Sequence, residues 1–317
     1  MKKLDESEII KVFQKTFGNK NFISEDVESF SIGTTNIIIK VDTLVQSTDI
    51  PSQMSLNDAS RKSIVACISD FAAKGVKPKF GIISVNLPKG ISKKNIDEIA
   101  RGFKIASKEF NINILGGDTN EGKEIVFHVC IFGSADKIVH RKGAVIGDLI
   151  FVTGPFGYTA AGLEILLKNM KGNINFSRKA KKSVMKPQPR LDFGLKNKNY
   201  FTSSMDSSDG LSTTLNEMAK QSKRKFVINN IPSNKDVKNF SITNKKNLEA
   251  LVFHGGEEYE IVFTVSKKNK SKIIKNANLT NTPIIEVGHV AKGRRVFIER
   301  NKKVTPLKDL GWHHFKK

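Results

Sequence analysis

Apolar and polar positions follow two periods along the chain, and helical and strand patterns succeed one another. Apolar residues recur with a period near 3.6 over residues 92–110, which predicts an amphipathic helix. Ser55 is placed to begin another helix, and Gly75 is placed to end it. Apolar and polar residues alternate over Glu124–Phe132, which predicts a half-buried strand. The pattern therefore predicts a mixed α+β fold.

A polar stretch over Ser134–Gly147 interrupts this pattern, and a buried-strand run, Asp148–Thr153, follows it. The second half then repeats the mixture of helical and strand patterns. A chain of 317 residues is also longer than one typical core of about 100–200 residues. We therefore predict two mixed domains, residues 1–136 and residues 137–317.

Composition excludes several classes of protein. Hydrophobic residues make up 38 % of the chain, which is enough to build cores and excludes a disordered chain. The longest apolar runs, such as Ile125–Phe132, are strand-sized and fall short of the roughly 20 residues of a membrane helix. Acidic residues interrupt the basic N-terminus, so we expect no signal peptide. Cys67 and Cys130 have no CxxC partner, which predicts free thiols and a cytoplasmic protein.

The charge of the chain allows two interpretations. There are 53 basic and 31 acidic residues, so the formal net charge is +22. Such an excess favours a basic nucleic-acid-binding protein. The lysines are nevertheless dispersed, as in Lys196–Asn199 and Lys267–Lys270, and no arginine-rich stripe or zinc-finger spacing is present. General enrichment in Lys, Asn and Ile is therefore the alternative explanation, and charge alone names no partner.

Several carboxylates stand at the ends of predicted elements, next to Gly or Ser. They are Asp42 after the run Ile37–Val41, Asp70 late in a helix, Asp118 in GGDT just after a strand, and Asp206 and Asp209 in MDSSDGL at the start of a helix. Converging carboxylates repel one another unless cations lie between them, and Mg²⁺ prefers oxygen ligands and phosphates. Each Asp taken singly also fits a cap or turn residue, and Ser208-Asp209 fits an N-cap. The set as a whole predicts an enzyme that binds Mg²⁺ and phosphate.

Two loops carry further candidate chemistry. Thr153–Gly157 (TGPFG) exposes backbone N–H groups that favour anions, although an ordinary turn explains it equally well. Three acids crowd a glycine turn in Gly255–Thr264 (GGEEYEIVFT). The histidines lack metal-ligand spacing, and no GxSxG motif, catalytic-cysteine context or kinase catalytic loop is present. This weakens the case for covalent catalysis.

Six motifs taken together resemble one enzyme family. In chain order they are Ser69-Asp70-x-Ala-Ala-x-Gly, Gly116-Gly117-Asp118-Thr119, Thr153-Gly154 with Ala160-Ala161-Gly162-Leu163, Asp206-x-Ser-Asp-Gly-Leu, Gly256-Glu257-Glu258-Tyr259-Glu260, and Gly311-Trp312-x-His-Phe. The series resembles the thiamine-monophosphate kinase family, particularly its archaeal form, which Ser47–Pro51 also fits. The likeness extends from about Asp26 to Phe315. One such motif would mean little, but six in order are specific.

The resemblance implies a PurM-like fold of the AIR synthase-related superfamily. Its N-terminal domain would form a barrel with that of a second copy in a homodimer, and its C-terminal domain would carry a mixed sheet. The implied reaction transfers the γ-phosphoryl group of ATP to thiamine monophosphate with several Mg²⁺ ions, and involves no membrane and no specific nucleic acid. The alternative is another PurM-like ATP-using enzyme, such as a relative of aminoimidazole ribonucleotide synthetase. Gly256–Glu260 and the Gly-Trp-x-His-Phe ending argue against that alternative.

The resemblance also implies roles for individual residues. The implied metal ligands are Asp26, Asp42, Asp70, Asp118, Asp206 and Asp209; the ATP contacts are Gly117, Asp118, Arg141 and Ser208; the contacts to thiamine monophosphate are Asp49, Glu257 and Trp312. Asp118, Asp209 and Arg141 are the implied catalytic residues. An indole face and a carboxylate both attract the thiazolium cation, which suits Trp312 and Glu257.

Two departures from the family pattern stand close to these residues. Ser24-Glu25-Asp26-Val27 replaces the usual Gly-Asp-Asp-Ala, and Lys40-Val41 replaces the hydroxyl residues that normally precede the Asp at position 42. The implied acceptor is a phosphate monoester with a second pKa of about 6, so it is already an anionic nucleophile at neutral pH. Such a reaction needs positioning and charge neutralisation rather than a general base.

Overall fold

Two mixed β-sheets organise the chain in the computed structural model, which describes residues 4–20 and 22–315. Within these ranges the first sheet, sheet A, has five strands in the order β1-β2-β5-β3-β4. Its strands are β1 Glu28–Ile32, β2 Thr35–Val45, β3 Lys77–Pro88, β4 Asn113–Gly122 and β5 Val126–Ser134. Only the β3–β4 pair of sheet A is parallel in this part of the chain.

Sheet B has seven strands among the described residues, in the order β12-β11-β8-β10-β6-β9-β7. Its strands are β6 Leu149–Thr153, β7 Phe201–Ser207, β8 Lys225–Ile228, β9 Glu260–Val265, β10 Ile284–Ala291, β11 Arg295–Arg300 and β12 Lys303–Pro306. The strand pairs are antiparallel except β8 and β11. Two sheets of mixed direction, each with helices against it, confirm the predicted α+β class.

The helices are spread along the whole chain. They are α1 Glu6–Thr16, α2 Gln46–Asp49, α3 Leu56–Lys74, α4 Lys93–Glu109, α5 Tyr158–Lys168, α6 Ile174–Met185, α7 Leu191–Asn197, α8 Leu211–Ser222, α9 Lys235–Thr243, α10 Leu248–Phe253 and α11 Lys270–Leu279, with a short 3₁₀ helix at Lys267–Asn269. None of the helices in the described ranges combines the length and the apolar character needed to cross a membrane.

Local signals in the sequence predicted several of these elements correctly. Helix α3 begins after Ser55, whose hydroxyl accepts the N–H of Asp58 at 3.1 Å, and it ends at Gly75 in the left-handed conformation. Helix α4 is the helix predicted over residues 92–110. The alternation in β5 places every second side chain in the core. One boundary was wrong, because β4 continues through GGDT to Gly122 instead of ending before it.

Helix α3 lies between the two sheets. It packs against β2 and β5 of sheet A, and against β7 and β9 of sheet B. Helix α7 approaches it so closely that a Cβ added to Gly194 would lie 1.9 Å from the carbonyl oxygen of Ala72. Almost all of α3 is therefore buried, including charged residues such as Lys62, Asp70 and Lys74. These charged groups must find partners in the region between the sheets.

One face of sheet A is covered by α3 and α4, and the opposite face is open. Neighbouring strands direct alternate side chains outward, and five large apolar side chains on this open face are 40 % to 65 % exposed. These residues are Phe30, Ile32, Val41, Phe80 and Ile82. A contiguous apolar surface of this kind on a sheet is typical of a protein–protein contact.

Candidate active site

Three buried carboxylates converge where α3 joins the two sheets. Asp26 precedes β1, Asp70 lies in the last turns of α3, and Asp206 lies near the end of β7. Each offers an oxygen atom, and these atoms all lie within 4.8 Å of one another. We call these three residues the acid cluster. Far apart in sequence, they meet because α3 packs against both sheets.

Two basic groups hold the Asp26 side of the acid cluster. The Lys74 ammonium lies 2.8 Å from an oxygen of Asp26 and 2.7 Å from one of Glu25, and it also donates to the carbonyl oxygen of Ser204 at 2.9 Å. The guanidinium of Arg141 donates to Asp26 from Nε at 2.7 Å, and its backbone N–H donates to Glu25 at 2.9 Å. Glu25, which departs from the family pattern, is thus part of the same network.

A third basic group lies on the other side of the acid cluster. The Lys40 Nζ atom is 2.8 Å from Asp70 Oδ2 and 3.5 Å from Asp42 Oδ1. Burial lowers the pKa of Lys40, but Asp70 and Asp42 outweigh burial and leave the pKa well above the ordinary lysine value. Lys40 is therefore an ammonium ion. Because it contacts both Asp70 and Asp42, Asp42 lies next to the acid cluster.

The pKa values of the three carboxylates in the acid cluster are shifted in different directions. Burial and the charge of Asp26 raise the pKa of Asp206 to about 6. Burial and Asp206 raise the pKa of Asp70 well above its usual value. Burial opposes ionisation of Asp26 as well, but Lys74 and Arg141 outweigh it and hold the pKa of Asp26 below its usual value. A divalent cation would relieve the repulsion between these groups.

The donor set of the acid cluster fits Mg²⁺. All three side chains offer hard carboxylate oxygens, and they are close enough together to share one ion. Mg²⁺ takes one or two protein carboxylates together with waters and substrate phosphates. Asp26, Asp70 and Asp206 are therefore the residues that would hold the ion, with Asp42 beside them.

The loop after β7 joins the remaining candidates from the second half of the chain. The backbone N–H of Trp312 donates to the carbonyl oxygen of Asp209 at 2.8 Å, and the N–H of Glu257 donates to that of Ser208. The structure thus brings Ser208, Asp209, Glu257 and Trp312 together around this loop. The N-cap interpretation of Ser208-Asp209 was wrong, since α8 begins after Gly210 without a side-chain cap. Asp206, expected at a helix start, lies within β7.

Two predicted substrate residues meet at a lysine that sequence reasoning did not select. The Lys62 ammonium forms an ion pair with Glu257 and donates to the carbonyl oxygen of Asp49 at 3.0 Å. Only 1 % of Lys62 is exposed, so this ammonium is fixed between the loop and α2. The Asp49 carboxylate is itself held by the N–H of Val45 at 2.7 Å. A basic residue inside the apolar pattern of α3 was the available signal.

Asp118 and Gly117 lie away from the acid cluster. In β4, Asp118 is in register with Ser84 of β3, which in turn pairs with His128 of β5. His128 alternates with the buried Phe127, so these partners point to the open face of sheet A. Asp118 is exposed there, and the structure does not bring it to Asp26, Asp70 and Asp206 within the described residues. A Cβ on Gly117 would lie 1.6 Å from a β3 carbonyl oxygen, which gives this glycine a packing reason.

The other two acids of GGEEYE have partners inside the protein. Glu258 accepts the N–H of Gly157 at 2.6 Å and the hydroxyl of Thr159 at 3.1 Å, so it caps the N-terminus of α5. A side chain of the protein itself, and not an external anion, therefore binds the N–H group that the TGPFG loop presents at this helix end. Glu260 accepts Nε of Arg190 at 2.7 Å and the Thr153 hydroxyl at 2.6 Å. Burial raises the pKa of Glu258 to about 8.

The backbone on either side of Glu258 is strained. Glu257 and Tyr259 have φ angles of 62° and 52°, in the left-handed region that large side chains rarely adopt. The N–H of Tyr259 donates to the carbonyl oxygen of Ser207 at 3.0 Å, so the loop is attached to β7 on one side and to α5 on the other. Such strain persists only where surrounding contacts over-determine it. Here they determine where the Glu257 side chain lies.

Comparison with known proteins agrees with this geometry. The family model described as "AIR synthase related protein, N-terminal domain" matches residues 25–135. The thiamine-monophosphate kinase of Nitrosopumilus maritimus is 64 % identical over 316 residues, and the match covers 100 % of both chains. The chain belongs to the thiamine-monophosphate kinase family. The predicted family is thereby confirmed, and the enzyme of that name from Pyrococcus horikoshii is 33 % identical, with 100 % of this chain and 98 % of the relative covered.

Solved structures of the thiamine-monophosphate kinase family share the fold. AaThiL complexed with AMPPCP and TMP matches with a TM-score of 0.86 at 27 % identity, covering 98 % of this chain and 97 % of that one. The thiamine monophosphate kinase from Aquifex aeolicus matches with a TM-score of 0.82 at 26 % identity, covering 92 % and 95 %. A HypE–HypF complex, at 17 % identity and a TM-score of 0.78, shares the fold, covering 95 % of this chain and 98 % of that one. The fold class is confirmed, while the dimer barrel stays a prediction.

Proposed function

We propose that this chain phosphorylates thiamine monophosphate to thiamine diphosphate with ATP as the phosphoryl donor. The observation that carries the proposal is the connection, through one loop, between the acid cluster and the Glu257–Trp312 pair. A relative 64 % identical over the full chain bears the name thiamine-monophosphate kinase, and a structural neighbour was solved with AMPPCP and TMP. Both support the same reaction.

The chemistry follows from charge. The acceptor phosphate is an anionic nucleophile near neutral pH, so the barrier to reaction is repulsion between two polyanions. Mg²⁺, held by Asp26, Asp70 and Asp206 with Asp42 beside them, would supply charge neutralisation on the phosphates, and Asp209 is proposed as a further ligand from the loop after β7. Reaction needs no side chain to remove a proton from the acceptor. Positioning and electrostatic stabilisation are therefore the tasks left to the protein.

The chain's own basic and aromatic groups perform the positioning. Arg141, whose pKa its acidic neighbours raise against the opposing effect of burial, carries a permanent charge beside Asp26 and is proposed to contact ATP together with Ser208. Glu257 and the exposed indole of Trp312 would receive the thiazolium cation. The Lys62 ammonium orients the Glu257 carboxylate and holds the segment that carries Asp49.

We also propose a homodimer that pairs the open faces of sheet A. The support is the exposed apolar surface that includes Val41, Phe80 and Ile82. Asp118 and Gly117 lie on the strand at one edge of this sheet, and their proposed contacts to metal and ATP would then be made in the site of the second copy. Val41→Lys should produce monomers in analytical ultracentrifugation, whereas exposed Glu121→Gln should not. Dimers that persist in Val41→Lys would contradict this surface as the interface.

We also propose a division into two domains and a cytoplasmic location. The division into residues 1–136 and 137–317 is supported by the sheets, since the strands of sheet A end at Ser134 and those of sheet B begin at Leu149. A cytoplasmic location is supported by the two free cysteines, Cys67 and Cys130.

A turnover assay tests the proposed reaction. Purified protein with ATP, Mg²⁺ and thiamine monophosphate should form thiamine diphosphate and ADP, and chelation of Mg²⁺ should abolish the reaction. Asp206→Asn should lose activity while circular dichroism shows an intact fold, and Glu121→Gln serves as the matched control. The proposal fails if thiamine monophosphate is not consumed with excess Mg²⁺ while the substrate of another PurM-like enzyme is.

A further inference from the structure

Lys40 occupies an unusual position for a lysine. It lies on β2, on the face of sheet A that packs against α3, between the buried Ile38 and Leu44 in the same alternation. At Lys40, strand β2 pairs with Ile131 of β5, and its pairing with β1 ends one residue earlier, at Ile39, so the sheet holds the backbone at this position. The ammonium group therefore stays at the acid cluster, 2.8 Å from Asp70 Oδ2.

We propose that the Lys40 ammonium acts as a built-in cation at the acid cluster, so that the free protein binds a single divalent ion there. The inference refines the metal site on which the proposed kinase function rests. The ammonium lies at hydrogen-bond distance from Asp70 Oδ2 and so occupies a carboxylate oxygen that would otherwise be available to a metal ion. Asp42, at 3.5 Å from the same ammonium, is compensated by it as well.

The balance of charge supports a single ion. The network contains more carboxylates than basic groups, and with all five carboxylates ionised, two negative charges would remain after pairing. The carboxylates are Glu25, Asp26, Asp42, Asp70 and Asp206, and the basic groups are Lys40, Lys74 and Arg141. One divalent cation would balance this remainder. Without the Lys40 charge the same ionised network would carry three negative charges, more than one divalent ion balances.

A tethered ammonium also differs from an ion in its dependence on concentration. A bound metal stabilises the fold by an amount that rises with the logarithm of its free concentration relative to its dissociation constant. Lys40 is covalently part of β2 and supplies its charge at any Mg²⁺ concentration. The wild-type fold should therefore depend less on Mg²⁺ than a fold in which this charge must come from solution.

Mn²⁺ is the probe for the test, used without ATP or thiamine monophosphate. Isothermal titration calorimetry and Mn²⁺ electron paramagnetic resonance count the ions bound to the full chain. We expect one tightly bound Mn²⁺ in wild type, in Lys40→Arg, and in Lys62→Ala, which removes a buried ammonium outside the acid cluster. Lys40→Ser and Lys40→Ala should each bind one ion more, and their melting temperatures should rise more steeply with added Mg²⁺.

Two tight Mn²⁺ ions in wild type overturn the proposal, as does an unchanged count in both Lys40→Ser and Lys40→Ala. Failure of both variants to fold at every Mn²⁺ concentration also overturns it, because the proposal requires that an ion can replace the ammonium. A variant that folds only when Mn²⁺ is present and binds the additional ion supports it. Since no substrate is used, a negative kinase assay leaves this result unaffected.

Discussion

The protonation of Glu258 should make the stability of this protein decrease as pH rises. Burial raises the pKa of this carboxyl from 4.5 to about 8, so the folded chain keeps a proton that the unfolded chain releases. Between these two pKa values the folded state binds more protons, and the free energy of unfolding therefore falls with increasing pH. Below about pH 4.5 the contribution is constant, and above about pH 8 the loss is complete.

The magnitude follows from the size of the shift. At 1.36 kcal/mol for each pKa unit, raising the pH from 5.5 to 8.5 should cost about 3 kcal/mol through Glu258 alone. That is a large share of the roughly 5–15 kcal/mol that stabilises a typical domain. Glu258→Gln keeps the shape of the neutral acid and an oxygen that can accept the N–H of Gly157. It should exceed wild type by about 1 kcal/mol at pH 5.5 and by about 4–5 kcal/mol at pH 8.5, so that the difference grows by about 3 kcal/mol.

Urea unfolding of both proteins at pH 5.5, 7.0 and 8.5 measures this difference. Other titrating groups contribute equally to wild type and variant, so the difference between them isolates Glu258. Glu121→Gln, at an exposed acid in β4, is the matched control for the loss of a carboxylate. A constant difference between Glu258→Gln and wild type at all three pH values would refute the reasoning, since it would mean that Glu258 is ionised in the folded state.

Three further substitutions test other contacts. Arg190→Met leaves the buried Glu260 without its ion pair and should lower the free energy of unfolding, measured in urea, by about 3 kcal/mol. A loss below about 1 kcal/mol would mean that other groups compensate Glu260. Lys62→Met frees the Glu257 carboxylate and should raise the KM for thiamine monophosphate about tenfold, while the KM for ATP stays constant. Equal changes in both KM values would contradict a role of Lys62 in binding thiamine monophosphate. Gly194→Ala places a Cβ 1.9 Å from a backbone oxygen of α3 and should lower the free energy of unfolding by about 2 kcal/mol, seen as a lower melting temperature. An unchanged melting temperature would show that α7 can move away from α3.

The net charge of +22 was an ambiguous signal because composition does not distinguish exposed from buried lysines. Most lysines are dispersed along the chain, but Lys40, Lys62 and Lys74 each hold carboxylates at the candidate site. In sequence they differ from the others only in interrupting apolar patterns. Their partners lie in other segments, so no local pattern could identify them.

The crowded acids of GGEEYE show the same limit. Sequence reasoning grouped Glu257, Glu258 and Glu260 because they are neighbours along the chain. In the fold they have separate partners, namely Lys62, the start of α5, and Arg190. Successive residues in an extended or strained segment point in different directions, so nearness in sequence does not imply a shared site.

The sequence by itself determined the elements and the family. Periodicity and caps are local properties, so the helix after Ser55 and the strand over Glu124–Phe132 could be predicted directly. Six ordered motifs were enough to indicate the thiamine-monophosphate kinase family. Only the tertiary structure decided which acids meet. Asp26, Asp70 and Asp206 converge because α3 packs between both sheets, whereas the register of β4 with β3 directs Asp118 to the opposite face of sheet A.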